Sequence, residues 1–143
     1  MATAAGARRP DPLRLAPIAA GAPGGPGPVL LEAAVVAHEP VAPEYLRLVL
    51  DAPAIARAAA PGQFVMLTLA GPGEAAPVLP RPMAIYGWDR VTGLVEIVYR
   101  VVGEGTRRLA RWPAGTPMVV VGPLGRGFVL PPARRIVLLG RGI

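Results

Sequence analysis

Two short stretches of the sequence combine residue types that bind phosphate. Arg81 precedes Pro82; a guanidinium can give a phosphate two parallel hydrogen bonds, and proline fixes the backbone beside it. Further along, Gly103, Gly105 and Thr106 form a Gly-Glu-Gly-Thr turn before a predicted helix. Glycines let the backbone approach a ligand, and free N–H groups at a helix start attract pyrophosphate. Each stretch alone also fits a surface strand edge or an ordinary strand-to-helix turn.

Residues for other kinds of chemistry are scarce. His38 is the single histidine of the chain, and no cysteine is present to share a metal with it. We interpret His38 as a strand-end residue, neither catalyst nor ligand. Nothing resembles a Ser–His–Asp arrangement, a paired-carboxylate site or a metal cage. The sequence therefore predicts no catalytic residue and no metal ligand.

The composition of the chain excludes several classes of protein and of chemistry. With 143 residues and 52% hydrophobic content, the chain can bury a core as one domain. The absence of cysteine excludes disulfides, thiol catalysis and cysteine-ligated clusters in this chain. The net charge of +6 comes from scattered arginines, and the chain is only 5% aromatic. These features disfavour nucleic-acid binding and favour a mildly basic surface near an anionic ligand.

Residues 1–28 are rich in Pro, Gly and Ala and are predicted to form a disordered tail. Asp11, Pro12, Arg14 and Pro17 interrupt any apolar run of secretory length. No segment approaches the roughly 18 apolar residues of a membrane helix. We therefore expect a cytoplasmic protein that neither enters a membrane nor binds nucleic acid.

From Val29 onward, short apolar runs alternate with Pro and Gly. In the second run Leu46, Leu48 and Leu50 alternate with other residues, as a half-buried strand requires. A helical turn is predicted between Pro53 and Pro61, and a helix over residues 104–112. This spacing predicts an all-β, antiparallel barrel or sandwich. The six predicted strands cover residues 29–41, 45–52, 63–70, 81–88, 94–102 and 116–122.

Four segments, in this order and spacing, resemble the flavin-binding barrel of the ferredoxin–NADP reductase superfamily: PGQFVML, LPRPMAIY, VYRVVGEGTRRL and VGPLGRGF. In particular they resemble the electron-transfer subunit of dihydroorotate dehydrogenase. The resemblance, over residues 29–143, implies a six-stranded antiparallel Greek-key barrel at 29–133 with one short helix, binding FAD. It implies a flavin-dependent oxidoreductase component, as in pyrimidine biosynthesis. Electrons would pass from NAD(P)H through flavin to an iron–sulfur centre or a partner dehydrogenase subunit.

The same resemblance assigns flavin contacts to particular residues. Arg81 would meet the phosphates, and the 103–106 turn would be a second phosphate contact. Relatives usually carry Ser or Thr where this chain has Ala84, so a hydroxyl near the reactive flavin nitrogen is missing. Tyr86, on the face of Ala84, would either cover the flavin or pack. The full set implied is Arg81, Pro82, Met83, Ala84, Tyr99, Arg100, Val101, Gly103, Gly105, Thr106 and, as a secondary member, Gly125.

The last ten residues resemble the start of a further domain. Residues 136–139 read as a buried strand and Gly140-Arg141-Gly142 as a glycine turn, as in a nicotinamide-dinucleotide site. We expect residues 134–143 to be the first part of an NAD-binding domain, with NAD(P) and [2Fe–2S] held outside this chain. The chain alone should not oxidise NAD(P)H. The alternative is a last barrel strand with a frayed end. Exposed apolar residues here predict docking on the barrel or self-association.

A second class of function fits the departures from the family pattern. Ala84 and the missing second domain are also compatible with a degenerate, flavin-free barrel that acts as an interaction or assembly module. Flavin content discriminates between the two hypotheses, because a pure scaffold should carry none.

Overall fold

A computed structural model describes residues 27–69, 79–129, 132, 135–137, 139 and 140. Within them the chain forms seven strands and two short helices, which confirms the all-β class. The predicted tail, apart from exposed residues 27 and 28, lies outside the described residues. The elements are β1 (Val29–Ala42), β2 (Tyr45–Asp51), α1 (Pro53–Ala58), β3 (Phe64–Thr68), β4 (Arg81–Ala84), β5 (Gly87–Asp89), β6 (Leu94–Arg100), α2 (Glu104–Leu109) and β7 (Pro117–Leu124).

All seven strands belong to one antiparallel sheet in the order β4-β3-β7-β1-β2-β6-β5. Long connections place β7 between β3 and β1, as in a Greek key. The two edge strands, β4 and β5, are consecutive in the chain. Between them the Ile85 N–H donates to the carbonyl of Gln63 (3.1 Å), and the Tyr86 N–H donates to that of Glu96 (2.8 Å). The sheet ladder is not closed, but this link holds its edges together in a barrel-like shape.

The predicted number of elements is wrong, because the structure has seven strands and two short helices where six strands and one helix were expected. The fourth predicted strand, residues 81–88, divides into β4 and β5 because the chain crosses there from one edge of the sheet to the other. The helical turn predicted after Pro53 is present as α1. The helix predicted over residues 104–112 ends earlier, at Leu109.

The strand predicted at residues 136–139 is not present in the residues described there. Ile136, Val137 and Leu139 lie outside any strand, and Leu139 is 95% exposed. An apolar run forms a strand only when a neighbouring strand binds its N–H and C=O groups. None of the seven strands pairs with this segment.

The core lies inside the curved sheet and is built from alternate positions of its strands. No charged side chain is buried among the described residues, and no helix there is long and apolar enough to cross a membrane. α1 and α2 each add one large apolar side chain, Ile55 and Leu109. The largest fully buried side chains of the strands are Val35, Leu48, Leu50, Val65, Leu67, Val95, Ile97, Met118 and Val120.

A hydrogen-bonded bridge through His38 anchors the segment after α2 to the sheet. The His38 Nδ1–H donates to the carbonyl of Trp112 (2.7 Å), and Nε2 accepts from the Tyr99 hydroxyl (2.8 Å). This assignment requires the neutral tautomer with its proton on Nδ1. His38 therefore has a structural task, because it ties β1 and β6 to the segment after α2.

Replacing Tyr99 with phenylalanine should change how stability depends on high pH. Burial raises the pKa of the Tyr99 phenol above its ordinary value of about 10. Above that pH the unfolded chain releases the proton while the folded chain keeps it, so stability falls as pH rises. Tyr99→Phe should flatten this decline in the free energy of urea unfolding, and cost about 1 kcal/mol at neutral pH for the lost hydrogen bond.

The matched control for this prediction is Tyr86→Phe, because Tyr86 is an exposed tyrosine. The control should keep the slope of the wild-type protein at alkaline pH. An identical alkaline slope in Tyr99→Phe and wild type would contradict the link to Tyr99.

Candidate functional site

β4 presents different side chains on its two faces. Arg81 and Met83 are half-buried, while Pro82 and Ala84 are exposed. β4 pairs only with β3, so proline, which has no N–H to donate, is tolerated at this edge. Met83 packs against the core and fixes the phase of the strand. The sequence thus directs Arg81 toward the side of the barrel on which Met83 packs.

The turn before α2 is shaped by Thr106. Its hydroxyl oxygen accepts hydrogen bonds from the N–H groups of Val102 (2.9 Å) and Gly103 (3.0 Å). The same hydroxyl donates to the carbonyl of Gly103 at 3.0 Å. Of the roles that the sequence leaves open for Thr106, the structure shows the capping one. Its single proton is engaged, so donors for an anion at this turn must come from the backbone.

Arg81 lies directly against Gly105. A Cβ atom added to Gly105 would be 2.6 Å from Arg81 Nε and 3.3 Å from its Cζ, so only glycine leaves room for the guanidinium. Gly105 is in the first turn of α2 and is buried. The structure therefore brings together Arg81 and the 103–106 turn, which the sequence analysis predicts separately as phosphate contacts.

The electrostatics at this junction favour an anion. Arg81 forms no hydrogen bond or ion pair with the described residues. The first N–H groups of a helix have no partner within the helix, and they carry partial positive charge. The one acid of this turn, Glu104, faces its own helix: its carboxylate is 3.4 Å from Arg107 Nε and 3.9 Å from Arg108 Nε. A guanidinium beside a helix start can bind a phosphate group.

Other predicted site residues make their contacts elsewhere. Tyr99 is only 3% exposed and bonds His38. Arg100 pairs with Glu44 at 2.8 Å, and the Val101 N–H donates to the Glu44 carbonyl, also at 2.8 Å. These contacts engage Tyr99, Arg100 and Val101 within the protein. Their assignment to a cofactor stays a prediction.

Gly125 and Ala84 lie at the other end of β4 from Arg81. A Cβ at Gly125 would be 3.1 Å from the Phe64 ring, and Phe64 is also the ladder partner of Ala84. The positive φ of Gly125 (80°) favours glycine there. Gly125 therefore neighbours Ala84 through Phe64 and is separate from the Arg81–Gly105 contact.

Gln63 is a residue of this region that sequence reasoning did not single out. Its Nε2 donates to the carbonyl of Gly125 (2.9 Å), and its Oε1 accepts from the Ala60 N–H (2.9 Å). Its own carbonyl accepts from Ile85 just after β4. Gln63 thus connects the turn before β3 to the segments on both sides of Ala84. The signal was present in PGQFVML as a polar residue between a turn and a strand.

Comparison with known proteins places this barrel among its relatives. No family profile matches the chain. Over 115 residues it is 39% identical to the dihydroorotate dehydrogenase B (NAD(+)) electron transfer subunit of Desulforamulus reducens, covering 80% of this chain and 43% of that protein. The structure also matches, at a TM-score of 0.60 and 28% identity, an NADH-dependent reduced ferredoxin–NADP oxidoreductase. That match covers 68% of this chain and 34% of the other.

Over its barrel the chain is similar to an electron transfer subunit and to ferredoxin reductases. A third match, the ferredoxin reductase in carbazole 1,9a-dioxygenase, has a TM-score of 0.62 and 25% identity. It covers 76% of this chain and 33% of the reductase. The chain spans less than half the length of the curated relatives that it matches. The likeness therefore concerns the barrel and not the whole of those proteins.

Proposed function

We propose that this chain is the FAD-binding part of an electron-transfer oxidoreductase. The observation that carries the proposal is the contact between the Arg81 guanidinium and Gly105 at the start of α2. Two segments remote in sequence meet there with donors suited to a pyrophosphate. The homology to electron transfer subunits and ferredoxin reductases supports the same function.

The residues of the site fit a dinucleotide cofactor. Arg81 would bind one phosphate through its planar fork, and the first N–H groups of α2 would bind the phosphate beside it. Gly105 leaves the space in which the guanidinium lies. Thr106 would hold the turn in shape without contacting the ligand. When bound, a flavin supplies the capacity to accept and pass on electrons; this chain supplies its binding and orientation.

The wider activity is also a proposal. The relatives are named as subunits that transfer electrons for an NAD(+)-linked dihydroorotate dehydrogenase. We infer that this barrel serves a similar route, from NAD(P)H through flavin to an iron–sulfur centre and a partner dehydrogenase subunit. The 143 residues contain no cysteine for an iron–sulfur centre, so that group would be held by other polypeptide. We expect this chain alone to show little or no NAD(P)H oxidation.

Titration with FAD tests the proposal directly. The purified chain should quench the fluorescence of added FAD on binding and should shift its absorption bands. A colourless preparation with no affinity for added FAD would reject flavin binding. That outcome would favour the other hypothesis, a flavin-free barrel that acts as an interaction module.

Introducing a hydroxyl at residue 84, the group that the family resemblance implies there, should strengthen FAD binding. Ala84 is exposed at the end of β4, so a serine there has room to reach a ligand. Ala84→Ser should tighten binding by about 0.5–1.5 kcal/mol, the usual contribution of one hydrogen bond, and should shift the flavin reduction potential. Ala34→Ser, at an exposed position of β1, is the matched control. Equal affinities and potentials for Ala84→Ser and the control would show that Ala84 is remote from the flavin ring.

A further inference from the structure

The backbone from residue 103 to residue 112 forms one hydrogen-bonded segment, which we call the α2 segment. The amides that close its turns around α2 are those of Arg107, Ala110, Arg111 and Trp112. The first of them bonds the carbonyl of Gly103 at 2.9 Å, and the last bonds that of Leu109, also at 2.9 Å. A hydrogen-bonded element of this kind is rigid, so a displacement at one end is transmitted to the other.

The two ends of the α2 segment contact different parts of the protein. Near its start, Gly105 lies against the Arg81 guanidinium, where an added Cβ would be 2.6 Å from Nε. At its end, the carbonyl of Trp112 accepts a hydrogen bond from His38 Nδ1 at 2.7 Å. These two positions are about 10 Å apart at the helical rise of 1.5 Å per residue. One short unit therefore connects Arg81 to β1.

The α2 segment depends on bonds from outside for its position. α2 itself has six residues, and isolated helices of that length are not stable. The Trp112 side chain packs against the core, but its indole N–H has no hydrogen-bond partner among the described residues. Apolar packing has no preferred direction, whereas a hydrogen bond fixes both distance and angle. The bond from His38 therefore orients the end of this segment.

His38 is in turn held in the protonation state that this bond needs. A carbonyl only accepts, so Nδ1 must carry the proton. The hydroxyl of Tyr99, a buried residue of β6, lies 2.8 Å from Nε2 and donates to it. A hydrogen bond at one ring nitrogen of histidine determines which nitrogen is protonated. Tyr99 thus keeps His38 a donor toward Trp112.

We propose that His38 is a positioning residue for the phosphate site. Through the Trp112 carbonyl it fixes the α2 segment, so that Gly105 stays against Arg81. The inference rests on the proposed function, because it concerns the site at which Arg81 would bind the cofactor. Binding geometries are disturbed by displacements of about 0.5 Å, and the guanidinium has little free space beside Gly105. Loss of the His38–Trp112 bond should therefore weaken FAD binding without removing any residue that contacts FAD.

Two conservative variants of the full 143-residue chain separate the two bonds of His38. The amide nitrogen of asparagine can take the place of Nδ1, whereas the longer glutamine reaches the position of Nε2. His38→Asn should keep the bond to Trp112, and His38→Gln should keep only the bond to Tyr99. In fluorescence titration, the FAD dissociation constant should rise about fivefold in His38→Gln, an effect the size of one lost hydrogen bond. In His38→Asn it should stay within about twofold of wild type. A merely structural role predicts equal effects, because each variant loses one bond.

A second readout requires no ligand. The Nε–H group of Arg81 gives a proton–nitrogen cross-peak in the NMR spectrum of the labelled chain, and its absence from the spectrum of Arg81→Lys assigns it. The cross-peak should shift in His38→Gln, because the α2 segment then moves relative to Arg81. In His38→Asn it should keep its wild-type position.

Equal FAD affinities for the two His38 variants would overturn the positioning role, as would an Arg81 cross-peak that shifts in neither. A wild-type chain that does not bind FAD would reject the proposed function. The cross-peak would in that case still decide whether His38 positions Arg81. Circular dichroism checks that each variant is folded, and His38→Ala replaces His38→Gln if the latter is not.

Discussion

Replacing Arg81 with alanine should weaken FAD binding by about 1–3 kcal/mol, the contribution of a charge-assisted hydrogen bond to a phosphate. Arg81 lies against the first turn of α2 and forms no ion pair with the described residues. Its removal should therefore leave the fold nearly intact and mainly affect the ligand. Fluorescence titration gives the affinity, and thermal unfolding without FAD gives the stability.

Two further variants sharpen the test of Arg81. Arg57→Ala removes an exposed arginine from α1 and should leave the affinity for FAD unchanged, which controls for the loss of net positive charge. Arg81→Lys keeps the charge but loses the planar fork, so its affinity should lie between those of alanine and arginine. If Arg57→Ala weakens binding as much as Arg81→Ala does, the effect is long-range attraction and not a phosphate contact.

Gly105→Ala should weaken FAD binding without lowering the stability of the fold. The added Cβ would occupy the space of Arg81 Nε, at a distance of 2.6 Å, and the flexible arginine side chain would have to move away. FAD binding should then weaken by about 1–2 kcal/mol as the bond to phosphate is disturbed. Alanine is also a better helix former than glycine by up to about 1 kcal/mol, so the unfolding temperature should stay the same or rise. Calorimetric titration and thermal unfolding measure the two effects.

Gly87→Ala is the matched control for Gly105→Ala. Its Cβ would lie 3.9 Å from the nearest side-chain atoms of Glu96, an ordinary contact. This variant should bind FAD like the wild-type chain. A Gly105→Ala protein that binds FAD with full affinity would show that the position of the Arg81 side chain does not matter for the ligand.

The strands could be predicted because their burial repeats every second residue, a local property of the sequence. The division of residues 81–88 at Ile85 and Tyr86 could not be predicted in this way. It depends on hydrogen bonds to Gln63 and Glu96, which are remote in the chain. The strand predicted from residue 136 fails for the same physical reason: composition alone does not supply a partner strand.

The candidate site, too, could be predicted from the sequence only in part. Arg81 and the 103–106 turn could be nominated from residue type, but their contact through Gly105 appears only in three dimensions. Tyr99 is different, because the sequence contains its orientation. It is in phase with Val95 and Ile97, which are buried, and so it points inward. Arg100, one position later, points outward and meets Glu44.

The link at Ile85 and Tyr86 has a consequence for aggregation. An open sheet offers two edges at which another chain can add a strand. Here both edge strands emerge from the same dipeptide, which bonds to one side of the sheet through Ile85 and to the other through Tyr86. Both bonds lie on the sides of β4 and β5 that face their ladder partners, so neither bond covers an outer edge of the sheet. A single dipeptide therefore ties both edge strands to the sheet without shielding them from strand addition.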